Sequence, residues 1–256
     1  MKRIMIIGIG AGNPEYVTIQ AVNALNRVDV FFVMDKGLAK EKLINLRKEI
    51  IERYVQNADY RIVQASSPER KRDEGAYVET VHELNRDKQL LFERLIAEEM
   101  ADGECGAFLV WGDPSLYDST IRIVGAIAKT GKYEFEFEVI PGITSVQALA
   151  ARHRVPLNAI GGSIGITNGR GIAEGLPNNV DSVVVMLDSQ DAYRNIADED
   201  VDIYWGAYVG TPDEILLAGK LREVMDDIKR VRSEARRRHG WIMDTYLLKK
   251  HGSDET

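Results

Sequence analysis

The run "RIMIIGI" from Arg3 to Ile9 carries no polar alternation and is followed at once by the glycine-spaced turn "GAGN". A strand this uniformly apolar needs cover on both faces, which a parallel sheet flanked by helices supplies. The same unit then recurs. Thr18 is placed to cap a helix whose Ala21, Val22, Leu25 and Val28 share a core-facing stripe. Further strands are predicted at 28–35, 60–65 and 107–111. Between them lie helical stretches at 39–53, near 78–100 and from Ser119, the last with Ile123, Val124 and Ile127 inward and Gly131 at its exit. Strand, loop and helix in rotation mark an α/β fold with a mainly parallel sheet.

Three glycines alternate at Gly8, Gly10 and Gly12, but a dinucleotide fingerprint needs its next glycine where Asn13 stands. Pro14 offers no N–H to a phosphate, and Thr18 caps its helix too late to sit against one. NAD is therefore disfavoured. The turn still lets bare backbone approach a ligand closely, while its plainer alternative is a flexible connection after a buried strand.

A formal net charge of −7 leaves no basic excess for generic nucleic-acid binding. The single cysteine, Cys105, excludes an internal disulfide and multi-cysteine metal centres, fits a reducing cytoplasm, and is expected in the core. Lys2 and Arg3 before an apolar run imitate a secretory leader, but the run is short and is read as the first strand. No apolar stretch approaches a membrane span.

"YEFEFEVI" at 133–140 alternates aromatic and Glu, which predicts one buried face, one wet face and a place near a sheet edge. "PGITSVQALAARHRVPLN" turns at Pro141-Gly142 and runs as helix until Pro156, where the domain boundary is set, giving domains 1–155 and 156–256. Strands at 162–167, 182–188 and 202–209 follow. A long helix is predicted from Asp213, with Leu217, Leu221, Val224, Ile228 and Val231 as its core stripe and Arg230 to Arg238 as a solvated end.

Parallel sheets bind ligands at the carboxyl ends of their strands, so "GIGAGNPE", "WGDPSLYDST" and "IPGITS" are predicted to surround one site. Asp113 either turns its carboxylate outward or caps its own turn. Thr144 and Ser145 read equally as helix caps. Loops so rich in backbone and poor in Lys and Arg suit a ligand held by amides, hydroxyls and a carboxylate rather than a polyphosphate.

"GIGAGNPEYVT", "WGDPSLYDST" and "VIPGITSVQALAA" resemble the three signature segments of the tetrapyrrole methylases, and "VVVMLD" and "GTPDEILLAGKL" extend the likeness over nearly the whole chain. The resemblance implies two α/β domains, the second with a mixed sheet, S-adenosylmethionine folded between them, and a cytoplasmic homodimer. It places Ala11, Gly112, Asp113, Leu116, Thr144, Ser145, Met186, Ala207, Gly210 and Thr211 at the cofactor; Ala11 stands where most members have proline. "VMDKG", "SSPERKRDEGAYVETVHELNR", "DIYWGAYVGTPDEIL" and "GWIMDTYLL" are most similar to the deacetylating branch, which implies methylation of carbon 1 of precorrin-5 with loss of acetate, in aerobic cobalamin synthesis. A methylase acting at another carbon of a precorrin or uroporphyrinogen, and a sensor that binds S-adenosylmethionine or a tetrapyrrole without turnover, are the alternatives.

Methyl transfer from a sulfonium needs positioning rather than a metal. "HELNR" puts Arg86 where a zinc-protease helix requires its second histidine, and His153, His239 and His251 lack ligand spacing. The acceptor carries several carboxylates, so Lys36, Arg152, His153, Arg154 and Arg170 are candidates to meet it. Removal of an acetyl group calls for a group that accepts a proton from water; Asp113 is the first candidate, with Asp35 and Tyr117 behind it.

Overall fold

The computed structural model describes residues 1–35, 41–57, 59–68, 77–177, 179–196 and 200–250. They form two compact units, Met1–Thr144 and Ser145–Thr256.

In the first unit, β1 (Lys2–Gly8), β2 (Val30–Asp35), β3 (Arg61–Ser66), β4 (Cys105–Val110) and β5 (Phe135–Ile140) form a wholly parallel sheet in the order β3-β2-β4-β1-β5. The apolar run of β1 is used on both sides. Met5 and Ile7 pack with α1 (Ile19–Leu25) and α2 (Glu41–Tyr54) through Ala21, Leu25, Leu46 and Ile50. Ile4 and Ile6 pack with α3 (Tyr77–Glu98) and α4 (Thr120–Lys129) through Phe92, Ile96, Val124 and Ile127. Each such side chain, fully withdrawn from water, contributes about 1.5–3 kcal/mol before entropy is counted. Thr18 caps α1 as expected, accepting Ala21 N at 3.0 Å. Within α1 the buried residue beside Ala21 and Leu25 is Ala24, not Val22, which is half-buried.

β5 is an edge strand, but its aromatic face is not sealed: Phe137 and Val139 are 39% and 36% exposed. An edge position leaves that face without a strand beyond it.

The second unit opens with α5 (Ser145–His153) and continues through β6 (Ile164–Asn168), β7 (Ser182–Met186), β8 (Val201–Ala207), β9 (Ile215–Lys220), α6 (Leu221–His239) and β10 (Asp244–Lys250). Its sheet is mixed, in the order β6-β7-β10-β8-β9, with only β6 and β7 parallel. Two sequence expectations change here, and one strand is added that the sequence reading did not make. The helix predicted from Asp213 begins at Leu221: residues 215–220 pair antiparallel with β8, and Leu217 fell on the helical stripe by coincidence of spacing. Gly219, at φ 153°, lies at the strand's end where a side chain would be strained. The closing strand β10 went unread because "DTYLLKK" places Tyr246, Leu247 and Leu248 side by side between polar ends and shows no alternation, yet it is the central strand of its sheet. The division between units falls at Thr144, not Pro156. Proline marks where α5 must stop, whereas the packing of α5 on β8 and β10 decides to which unit it belongs.

The Arg-rich end of α6 is solvated except at Arg232, which is 7% exposed. Its Nε donates to Asp244 Oδ2 at 2.7 Å, one Nη donates to the carbonyl of Asp188 at 2.5 Å, and the other lies 3.1 Å from Asp191. Trp205 Nε1 donates to the same Asp244 oxygen at 3.1 Å, and the Tyr246 hydroxyl donates to Asp188 at 2.7 Å. This network fixes β7, β10 and α6 together. Burial pulls the Asp244 carboxyl up against the opposing pull of Arg232.

Candidate functional site

Parallel pairing brings Gly8, Val110 and Ile140 to one end of the first sheet, and the turns that follow β1, β4 and β5 meet there. Gly10 and Gly112 pair antiparallel across the first two turns, Gly112 N donating to Gly10 O at 2.8 Å and Gly10 N to Gly112 O at 3.3 Å. Both glycines have positive φ, 82° and 69°, which allows two turns to zip backbone to backbone. Gly8 and Gly142 are glycine for a different reason. A Cβ on Gly8 would lie 2.6 Å from Gly142 N, and one on Gly142 would overlap the carbonyl oxygen of Gly112. Three main chains therefore touch where side chains would hold them apart.

Asp113 closes the arrangement. Its Oδ2 accepts Gly142 N at 2.8 Å, tying the second turn to the third, while Oδ1 accepts both the N–H of Ser115, at 2.8 Å, and its hydroxyl. Burial alone would raise the carboxyl; the donors from Ser115 and Gly142 outweigh it and hold Asp113 below the usual carboxylate range. Both readings of Asp113 are thus partly met: it caps its own turn and also reaches across to another. Ser115 was not singled out by the sequence reading, although its place two residues after an Asp in "GDPS" is the spacing of an Asx-turn.

The other first-unit candidates gather around this clasp. Ala11 is 1% exposed between Gly10 and Gly12, and Thr144 is 8% exposed with its Cα 3.6 Å from where a Gly112 side chain would begin. Leu116 is half-buried, its N–H on the carbonyl of Asp113 at 3.3 Å. Asn13 does not extend the glycine series: its side chain accepts Glu15 N at 2.9 Å and starts a 3-10 turn over Pro14–Tyr16. Tyr117 sits in the left-handed region at φ 52°, is 44% exposed, and has its pKa raised by partial burial. A tyrosine held there on the loop after the clasp is a strained residue beside a candidate site. Asp35 ends β2 on the same edge of the sheet and is exposed.

In the second unit, Met186 ends β7 and Ala207 ends β8, and both pair with the start of β10, at Thr245 and Asp244. They therefore share one end of their sheet. Gly210 and Thr211 form the turn that leaves β8, with Gly210 at φ 82° and Thr211 Oγ1 donating to the carbonyl of Tyr208 at 2.8 Å. Glu214, which the sequence reading missed, accepts Gly210 N at 2.8 Å. Its other oxygen takes Arg152 Nε at 2.7 Å, so Arg152, expected to meet substrate carboxylates, is ion-paired here with half of its side chain exposed. Ser145 is the first residue of α5. His153, near its end, has Nε2 3.0 Å from the carbonyl of Trp205, and burial holds its pKa down despite that contact. Arg154, at φ 58°, and Arg170, on the 3-10 turn after β6, are exposed. Lys36 lies outside the described residues. Among the described residues no group of three or more His, Cys, Asp or Glu is placed to hold a metal, and no helix is long and apolar enough to cross a membrane.

A model of the Tetrapyrrole (Corrin/Porphyrin) Methylases matches residues 3–225. A Sinorhizobium protein named precorrin-6A synthase [deacetylating] is 47% identical over 99% of this chain and 97% of its own length. A solved Corynebacterium diphtheriae structure, described as a cobalamin synthesis related protein (CobF), superposes with a TM-score of 0.83 at 37% identity, covering 98% of this chain and 99% of that one. The Thermus thermophilus uroporphyrin-III C-methyl transferase, solved with S-adenyl homocysteine, shares the fold at TM-score 0.57 and 20% identity, over 96% and 92% of the two chains.

Proposed function

The chain belongs to the tetrapyrrole (corrin/porphyrin) methylase family, and from that premise we propose that it methylates carbon 1 of precorrin-5 from S-adenosylmethionine, with loss of acetate, to give precorrin-6A in cobalamin biosynthesis. The observation that carries the reading is the 47% identity over nearly the full length to a deacetylating precorrin-6A synthase; curated relatives named for other positions on the macrocycle are 26–30% identical over 60–70% of the chain.

The clasped turns fit a sulfonium donor on their own geometry. They offer closely packed main chain shaped by Gly8, Gly10, Gly112 and Gly142, and a fixed anionic carboxylate at Asp113, with no Lys or Arg in "GIGAGNP" or "GDPSLY" to favour a phosphate. In this reading Ala11, Gly112, Leu116 and Thr144 hold the donor in the first unit, while Ser145, Met186, Ala207, Gly210 and Thr211 are candidates on the family resemblance alone. When bound, S-adenosylmethionine supplies an already activated methyl group, so the protein's part is orientation and exclusion of water. Asp113, with its oxygens on Ser115 and Gly142, serves chiefly to hold the turns in register. Tyr117 and Asp35, exposed at the carboxyl end of the first sheet, are then the candidates among the described residues to manage a proton during loss of acetate.

The test is incubation with precorrin-5 and methyl-labelled S-adenosylmethionine. Label in the macrocycle with one acetate released per methyl supports the reading. Label without acetate points to a methylase for another ring carbon, and binding without label to a sensor. We also propose a cytoplasmic homodimer, as the family resemblance implies; light scattering of the purified chain at twice the monomer mass supports it, and monomer mass at micromolar concentration refutes it.

A further inference from the structure

An edge strand ends its sheet with unpaired main chain, and proteins commonly guard it with charge or a bend. Among the described residues the sheet edges are β3, β5, β6 and β9. β3 begins at Arg61, which pairs with Glu104 at 2.7 Å, while β9 is bent by Gly219 at φ 153° and ends at Lys220, 3.5 Å from Asp200. β5 alternates Glu136 and Glu138 with apolar residues, so laying it antiparallel on its own copy sets Glu against Glu. β6 has no such guard. The chain carries no charged residue from Val155 to Gly169, and the apolar side chains of β6 are open to water, Ile164 at 37% and Ile166 at 43% exposure. Ile160 precedes them at 93%, on the turn that Gly162 N closes onto Ala159 O at 2.9 Å.

The backbone decides how a partner strand would meet this edge. Ser163 O accepts Ser182 N at 3.3 Å, and Ile164 is the residue level with Ser182. In a parallel ladder the N–H and C=O of that level residue point away from the neighbouring strand, and those of Ile166, two residues on, do the same. Ile166 also lies level with Val184 and Leu247, both fully buried, so the apolar face of the sheet runs outward to β6 and there loses its cover. An antiparallel copy turned about Gly165 presents Ile166 to Ile164 and Ile164 to Ile166, matching outward N–H to outward C=O at both. Ser163 then meets Thr167. The two ends of the strand differ in sign, with Asp181 held at the amino end by Ser163 N at 2.7 Å and Arg170 just past the carboxyl end, so antiparallel pairing turns acid toward base.

We infer that β6 pairs antiparallel with β6 of a second copy of this chain, across a two-fold axis at Gly165, joining their two sheets edge to edge. The arrangement closes on itself, because each copy spends the same edge once. A stable dimer takes about 800 Å² from each partner, which a short ladder does not supply alone. The same axis carries in the turns that flank β6, with Ile160 on one and Arg170 on the other. The inference deepens the homodimer proposed above and rests on that reading for the presence of a second copy.

Sedimentation velocity of the full chain at micromolar concentration tests it. The wild-type chain is expected as a dimer; Ile164→Lys or Ile166→Lys, each setting a charge on the edge, should raise its dissociation constant about tenfold or more, and Phe137→Lys on β5 should leave it unchanged. Both isoleucines are already partly exposed, so urea unfolding should show the lysine variants folded; if either is not, the cross-link below decides alone. A Cβ on Gly165 would meet Val180 at 3.6 Å, an ordinary contact, so Gly165→Cys fits. Facing residues at a position without cross-strand hydrogen bonds stand about 4.5 Å apart at Cα, within disulfide reach. Mild oxidation should therefore link two Gly165→Cys chains faster than two Lys129→Cys chains, whose substitution lies on exposed α4; the native Cys105 is buried. A wild-type dimer that survives both lysine substitutions, or Gly165→Cys linking no faster than Lys129→Cys, overturns the pairing and leaves a homodimer built on another surface. A wild-type monomer overturns both. Methyl transfer is read separately on the same samples: its absence defeats the functional reading, while mass and cross-link still decide the strand pairing.

Discussion

Replacing Asp113 by Asn separates a clasp from a base. In the wild-type protein one carboxylate receives three donors, of which the partly buried Gly142 N–H at 2.8 Å is the one that joins two turns. Asparagine keeps one acceptor oxygen and turns a donor toward whichever partner loses. A hydrogen bond to a charged group contributes about 1.5–3 kcal/mol, and the exposed Ser115 contacts sit at or below the low end. Losing or neutralising the Gly142 link should thus cost about 1.5 kcal/mol of turn alignment, roughly tenfold in affinity. Calorimetry with S-adenosylhomocysteine at pH 7.5 measures it. At that pH the clasp is fully charged: the folded pKa of Asp113 is depressed, so its contribution is present above the unfolded carboxyl value of about 3.9 and is lost only as pH falls through the lower folded value. Weakened cofactor binding with a matching fall in kcat/KM supports the clasp. Affinity equal to wild type, with turnover abolished, would make Asp113 the base and refute the reasoning.

Gly142→Ala places a methyl on the Gly112 carbonyl and should destabilise the first unit by about 1–3 kcal/mol, read by urea unfolding, while abolishing S-adenosylhomocysteine binding; wild-type binding would show that the turns can separate without cost. Arg232→Met leaves the buried Asp244 and the partly exposed Asp191 without their shared cation and should cost about 3–5 kcal/mol. Because burial already raises the folded pKa of Asp244, that loss should shrink on acidification as the carboxyl takes up its proton; a deficit that grows on acidification would contradict the assignment. Cys105, fully buried with its thiol pushed up to about 11 mainly by burial, should resist iodoacetamide at pH 8 in the native protein and react only on unfolding, which mass spectrometry reports.

Local chemistry alone determined much of this molecule. The unbroken apolar character of β1 required cover on both faces, Thr18 could only end or begin a helix, and glycines at 8, 10, 112 and 142 announced close backbone, because these constraints act within a few residues of themselves. Other features were decided by partners distant in the chain. Residues 215–220 carry a spacing that suits helix or strand until β8 offers its ladder, and β10 is central only because β7 and β8 flank it. Arg232 looks like surface charge until Asp191 and Asp244 arrive from elsewhere in the chain to pair with it. Asp113 could be read as base, cofactor contact or cap; its link to Gly142 became visible only once parallel pairing had set two turns side by side. A pattern of residue types specifies what a segment can bury or cap, whereas the use of a charge depends on which counter-charge the fold delivers, and that is a property of the tertiary structure.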